Sequence, residues 1–189
     1  MKKYELVTEL SKEFFGKTLF RIRALVSFGC VEKGEIGGWI EKEDNLSHEG
    51  KAWVSGEARV SGEARVSGDA QVYGEAWVYG KAQVYGKAWV YGEAWVYGKA
   101  QVYGKAWVYG EARVSGDAHY ITIGPIGSEG GVLTAFKQGD NSILVSRGCF
   151  SGTIDEFAEA VRNRHGETGY AAEYEIVIKL IEARLVEID

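Results

Sequence analysis

Proline is almost missing from this chain: Pro125 is the only one in 189 residues, against 26 glycines. A proline-rich linker or stalk is therefore excluded. There are two cysteines, Cys30 and Cys149. That is too few for a disulfide framework, so both are expected as free thiols in a reducing compartment. The start, residues 1–10 (MKKYELVTEL), has no apolar run of the kind that opens a secretory signal. No stretch is long and apolar enough to cross a bilayer as a helix, and a cytoplasmic location is expected. Basic excess is also lacking. Residues 1–50 carry a net charge of −1, residues 51–116 carry +2 and residues 117–189 carry −6, which gives −5 for the chain. A duplex-binding surface needs more positive charge than any of these segments has, so nucleic acid is not an expected partner.

What the chain has instead is glycine at a fixed interval. The hexapeptide x-Ala-x-Val-[Tyr/Ser]-Gly runs eleven times without a break, from Lys51-Ala52-Trp53-Val54-Ser55-Gly56 to Glu111-Ala112-Arg113-Val114-Ser115-Gly116. A longer period lies over it: residues 99–116 repeat residues 81–98 except at Arg113 and Ser115. Eighteen residues make three sides of six. The pattern predicts a three-sided parallel β-helix with one coil per 18 residues, whose equivalent strands stack about 4.8 Å apart. Strand alternation then sets direction. Ala52 and Val54 share a face and fill the narrow interior, while Trp53 and Ser55 point out. Each glycine falls at a corner, where it tolerates left-handed backbone angles.

Stacking by 18 sorts the exterior into three faces. The first carries Trp53, Gln71, Trp89 and Trp107, with Ser55, Tyr73, Tyr91 and Tyr109 beside them. The second carries Arg59, Trp77, Trp95 and Arg113, with Ser61, Tyr79, Tyr97 and Ser115. The third carries Arg65, Gln83, Gln101 and His119, with Ser67, Tyr85 and Tyr103. One corner column is acidic throughout: Glu57, Glu75, Glu93 and Glu111. Another, Lys51, Asp69, Lys87 and Lys105, is mostly basic. Carboxylates stacked at the strand spacing rarely chelate without further ligands, and no metal site or cofactor is expected. Same-residue ladders stabilise a β-helix by a few tenths to about 1 kcal/mol per aromatic pair. Exposed aromatic rows also suit an interface. A homo-oligomer, first of all a trimer, is expected through Trp77, Trp89, Trp95, Trp107, Tyr91, Tyr97 and Tyr109.

The flanks read differently. Residues 1–30 are expected to cap the coil, with a turn at Phe14-Phe15-Gly16-Lys17 and an alternating strand over residues 18–24. Residues 31–118 form the helix. Ile40 and Leu46 are six apart but Leu46 and Val54 are eight, which predicts two extra residues near Ser47-His48-Glu49-Gly50. Residues 119–189 are expected as a small α+β domain after a break at Asp117-Ala118-His119-Tyr120. Strands are expected near residues 119–124, 131–137 and 142–149. One helix is expected from Thr153 to Arg164, with Thr153-Ile154-Asp155-Glu156 as its capping box, and a second from Ala171 to Val186.

Val54 with Ala58, an aliphatic residue and a small one four further on, resembles the filling of the left-handed parallel β-helix in hexapeptide-repeat proteins. The left hand is what that resemblance implies. The lead-in Gly37-Gly38-Trp39-Ile40-Glu41 … Asn45-Leu46-Ser47 and the ending Tyr120-Ile121-Thr122-Ile123-Gly124-Pro125-Ile126-Gly127 … Arg147-Gly148-Cys149-Phe150-Ser151-Gly152 resemble phage- and prophage-associated members of that type. They imply a host-cell cytoplasm.

Many such β-helix proteins are acyltransferases, which implies a catalytic histidine and a loop leaving the coil. Here the eleven repeats contain neither, and His48, His119 and His165 all lie outside them. The chain is not expected to be an enzyme. Ranks of threonine for ice binding are missing too. The turn from Arg147 into the helix start offers free amides and a positive dipole end to an anion. A small anionic ligand is therefore expected at Arg147, Ser151, Gly152, Thr153, Arg162 and His165. The expectation is a non-enzymatic oligomeric binding protein that sequesters a nucleotide-type signal where subunits meet. A structural spacer or assembly module, and an acyltransferase, are its alternatives.

Overall fold

The structure is a computed structural model and describes residues 2–116 and 119–185. A hairpin, β1 (Tyr4–Phe14) and β2 (Lys17–Ala24), opens the chain, and β3 (Ile36–Ile40) follows. Eleven two-residue strands then recur every six residues, β4 (Trp53–Val54) through β14 (Arg113–Val114). They form a parallel β-solenoid of about four turns. The stacking offset is 18: Trp53 pairs with Gln71, Gln71 with Trp89 and Trp89 with Trp107. Each rung bonds to the next through the backbone, as when Trp89 N donates to Ala106 O at 2.9 Å.

The interior contains what the alternation requires. Every repeat Ala and Val from Ala52 to Val114 is completely buried. At the corners the glycines have positive φ, and Gly86 sits at +71°. A Cβ there would meet Gly104 N at 3.0 Å on the next coil, so both backbone angle and space restrict the position to glycine.

The first coil is irregular in the way the spacing implies. Ile40 pairs with Val60 and Leu46 with Val66, an offset of 20, whereas Val54 pairs with Val72, an offset of 18. Two residues are thus inserted between Leu46 and Trp53. The hairpin closes this end, with Tyr4, Ile22 and Ala24 joining the solenoid core. The Tyr4 hydroxyl lies 2.8 Å from the carbonyl oxygens of both Glu43 and Leu46. Lys3 Nζ donates to Ala52 O at 2.8 Å, and burial lowers the Lys3 pKa to about 8 against the pull of Asp69.

At the far end a four-stranded antiparallel sheet runs β15 (Tyr120–Ile126), β16 (Gly131–Lys137), β17 (Ile143–Arg147), β18 (Phe150–Thr153). Its two sides do different work because β16 alternates. Phe136 points to the coil end and, with Tyr120, belongs to the solenoid core. Leu133 and Ala135 point the other way, under α1 (Ile154–His165) and α2 (Gly169–Leu185). The expected break at Asp117-Ala118 and the expected end of the second helix at Val186 lie outside the described residues.

Two tryptophans depart from the expected exterior. Trp53 is 2% exposed, covered by the cap against Tyr4 and Phe28. Trp77 is covered by the hairpin tip: Phe14 meets it edge-on at 4.9 Å and Phe15 stacks on it at 5.3 Å. The reason is non-local, since the tip reaches across the second face. Phe14 also takes the Arg59 guanidinium on its ring, 4.5 Å from the centroid.

The tyrosine ladders form as expected. Tyr73, Tyr91 and Tyr109 stack at 4.9 and 5.0 Å, Tyr79 on Tyr97 at 5.1 Å and Tyr85 on Tyr103 at 5.4 Å. Burial and the neighbouring Tyr73 and Tyr109 push the Tyr91 pKa up to about 12. Tyr73 and Tyr79 are raised in the same direction, mainly by burial. Between the unfolded tyrosine pKa of about 10 and the folded value, the folded chain holds more protons than the unfolded one. The stability these groups contribute is complete below about pH 10 and is lost as pH rises toward 12. Melting followed by circular dichroism from pH 9 to 12 should show this decline, tracked by tyrosinate absorbance. A melting temperature flat across that range would contradict it.

Candidate functional site

Among the described residues, the two helices and the sheet line a cleft of mixed chemistry, about 450 Å³ in volume. Its apolar wall is Phe150, Phe157, Val161 and Tyr174. The helical period puts Phe157, Val161 and Arg164 on one side of α1, with His165 next to them. Phe157 meets Tyr174 edge-on at 5.5 Å, and His165 stacks on Tyr174 at 5.6 Å. Ser128, Glu129 and Cys149 complete the mouth, where Arg164 bridges to Glu129 at 3.0 Å. That pair is largely exposed and contributes little to stability.

Arg147 gives the cleft its charge. It ends β17, and its guanidinium lies across Gly131 on the neighbouring strand. A Cβ at Gly131 would come within 2.5 Å of Nη1, so glycine is what lets the guanidinium pass. Nη2 donates to Ile126 O at 2.9 Å. Nε is buried and has no hydrogen-bond partner. A buried donor left unpaired is costly, and an arginine with spare donors beside an aromatic wall suits a planar anion.

Of the expected ligand residues, the cleft gathers Arg147 and His165. It does not gather Ser151, Gly152, Thr153 or Arg162. The helix start is already filled by the chain's own carboxylate. Thr153 N donates to Glu156 Oε2 at 2.7 Å, and Glu156 N donates to Thr153 Oγ1 at 3.3 Å. Glu156 also lies over Gly152, where a Cβ would meet its Oε2 at 2.7 Å. The capping box thus takes two amides of the helix start, those of Thr153 and Glu156. Ser151 Oγ is 2.5 Å from the Tyr109 hydroxyl, on the solenoid side. Arg162 is exposed and does not line the cleft, whereas Arg164 does. Helical phasing from Phe157 and Val161 was the signal that selects Arg164.

The expected interface residues separate by face. Trp77 is buried, Trp95 meets it edge-on at 5.3 Å and carries the Arg113 guanidinium on its ring at 4.4 Å, and Tyr97 is stacked on Tyr79. Trp89 and Trp107 are 39% and 43% exposed and stack at 5.9 Å. Tyr91 sits within its ladder, and Tyr109 is partly covered by Phe136. His119 does not continue the third face; its Nδ1 lies 2.9 Å from Ser115 Oγ. Among the described residues no cluster of three potential metal ligands occurs, and no helix is long and apolar enough to cross a membrane.

A family model described as the YdcK beta solenoid repeat matches residues 58–74 and 70–86. Both segments fall in the solenoid body, and each spans nearly one full coil with a strand from all three faces. No curated protein matches the chain. Fold and repeat together define a β-solenoid protein with a small sheet-and-helix domain at one end.

Proposed function

We propose that this is a non-enzymatic binding protein that holds a small, flat, anionic molecule of nucleotide type in the cleft of its carboxy-terminal domain. The observation that carries the reading is Arg147, with a buried Nε lacking a partner, beside the aromatic wall of Phe150, Phe157 and Tyr174. A volume near 450 Å³ lies within the usual range for small-molecule sites. A planar base would stack on the wall, and a phosphate would take Arg147 and His165. The cleft is built by one chain, so binding at this site does not require a second copy. The lead-in and ending resemble those of phage-associated hexapeptide-repeat proteins, and sequestration of a host signal in the cytoplasm is the role that fits such a source.

Calorimetry with the common nucleoside monophosphates tests the reading, together with mass spectrometry of small molecules released from the purified protein on denaturation. Binding is expected, with the ligand recovered intact. Arg147→Met should weaken it at least about tenfold, the worth of a charge-assisted hydrogen bond. Absence of any bound anion, or affinity unchanged in Arg147→Met, would favour a spacer. Turnover of an acyl donor would favour a transferase.

A further inference from the structure

We infer that the first solenoid face pairs with the same face of a second copy, the two coils side by side and parallel about a two-fold axis along their length. The pairing is independent of ligand binding in the cleft. The second face is occupied by its own chain through the hairpin tip and Arg113, whereas Trp89 and Trp107 on the first remain 39% and 43% exposed. Exposed tryptophans on successive rungs of one flat face are what an interface centre uses.

Charge fixes the geometry. In the two rungs that carry those tryptophans, one edge of the face ends in Lys87 and Lys105 and the other in Glu93 and Glu111. All four side chains are exposed, and none makes an ion pair among the described residues. A two-fold axis along the coil brings the lysine edge of one copy against the glutamate edge of the other, rung for rung. An axis across the coil sets lysines against lysines and glutamates against glutamates, which repel. Edge complementarity therefore selects the parallel arrangement. The rung below carries Gln71 in place of tryptophan and Asp69 in place of lysine. Asp69 Oδ1 accepts from Lys51 N at 3.2 Å. That rung would set Asp69 against Glu75 of the partner, so contact centres on the two rungs nearer the carboxy-terminal domain.

The test is the mass in solution of three forms of the full chain, by sedimentation: the natural chain, Lys87→Glu/Lys105→Glu and Glu93→Lys/Glu111→Lys. The natural chain should be a dimer, and each double variant a monomer with an unchanged circular dichroism spectrum. An equimolar mixture of the two variants should restore the dimer, because one then has two acidic edges and the other two basic ones. A monomeric natural chain, a trimer, or variants that stay dimeric alone would overturn the inference, as would a mixture that fails to pair. If both variants lose their spectrum, Trp89→Gln/Trp107→Gln takes their place, with monomer supporting the inference and dimer opposing it.

Discussion

Val84→Asp should cost the protein more than about 3 kcal/mol, while Gln83→Asp, one residue away, should stay within about 0.5 kcal/mol. Val84 is completely buried between Val66 and Val102. The interior around Val84 is built of the repeat Ala and Val side chains, so a carboxylate there finds no partner and its pKa must rise. Gln83 is exposed on the third face. Its replacement changes a solvated group for another. At roughly 2–4 °C per kcal/mol for a chain of this size, the Val84 variant should melt at least about 6 °C below the natural chain at pH 7. The sign with pH follows from the raised pKa: the penalty is full well above the folded value and shrinks as pH falls toward the unfolded carboxylate pKa of about 3.9. Thermal melts of both variants at pH 7 and pH 4.5 decide the matter. Equal losses in the two, or a larger loss at Gln83, would mean that alternation does not set the interior.

Removal of residues 117–189 should turn the remaining solenoid into an aggregate. Phe136 and Tyr120 plug the coil end and are buried in its core. The sheet also pairs with the last coil: Ala112 bridges Gln138, Gly139 N donates to Glu111 O at 3.1 Å, and Trp107 N donates to Thr134 Oγ1 at 3.3 Å. Without these the final rung presents unpaired backbone groups and apolar side chains, a template for end-to-end stacking. Light scattering of the 1–116 fragment should show large, growing particles. A soluble monomer that melts at the temperature of the full chain would contradict the capping role.

The body was legible because each of its residues answers to neighbours six and 18 positions away, and both spacings are written in the chain. Even the two-residue insertion before Trp53 could be read, from the distance between Leu46 and Val54. Contacts between distant elements were not legible. Nothing local to Phe14 and Phe15 says that they cover Trp77, which depends on how the hairpin folds back over the second face. The capping box at Thr153 and Glu156 is legible in the sequence; that its carboxylate takes the Thr153 amide, which an anion at the helix start would use, follows only from the folded geometry. Arg164 is in helical phase with Phe157 and Val161 and lines the cleft, whereas Arg162 does not. The cleft itself needs Tyr174 from α2 to meet Phe157 from α1, and no spacing in the sequence encodes that meeting.

The most direct test of the wound three-sided tube is the distance between residues 18 apart set against residues six apart. Nitroxide labels would be placed at Gln83→Cys/Gln101→Cys and, separately, at Gln83→Cys/Trp89→Cys, both with Cys30→Ser and Cys149→Ser. Gln83 and Gln101 are paired on adjacent rungs, whose strands stack about 4.8 Å apart, so the first pair should show strong dipolar broadening. Gln83 and Trp89 stand on different faces, so the second pair should show much less. Broadening in the second pair and not the first would indicate a flat meander of short strands and would contradict the tube.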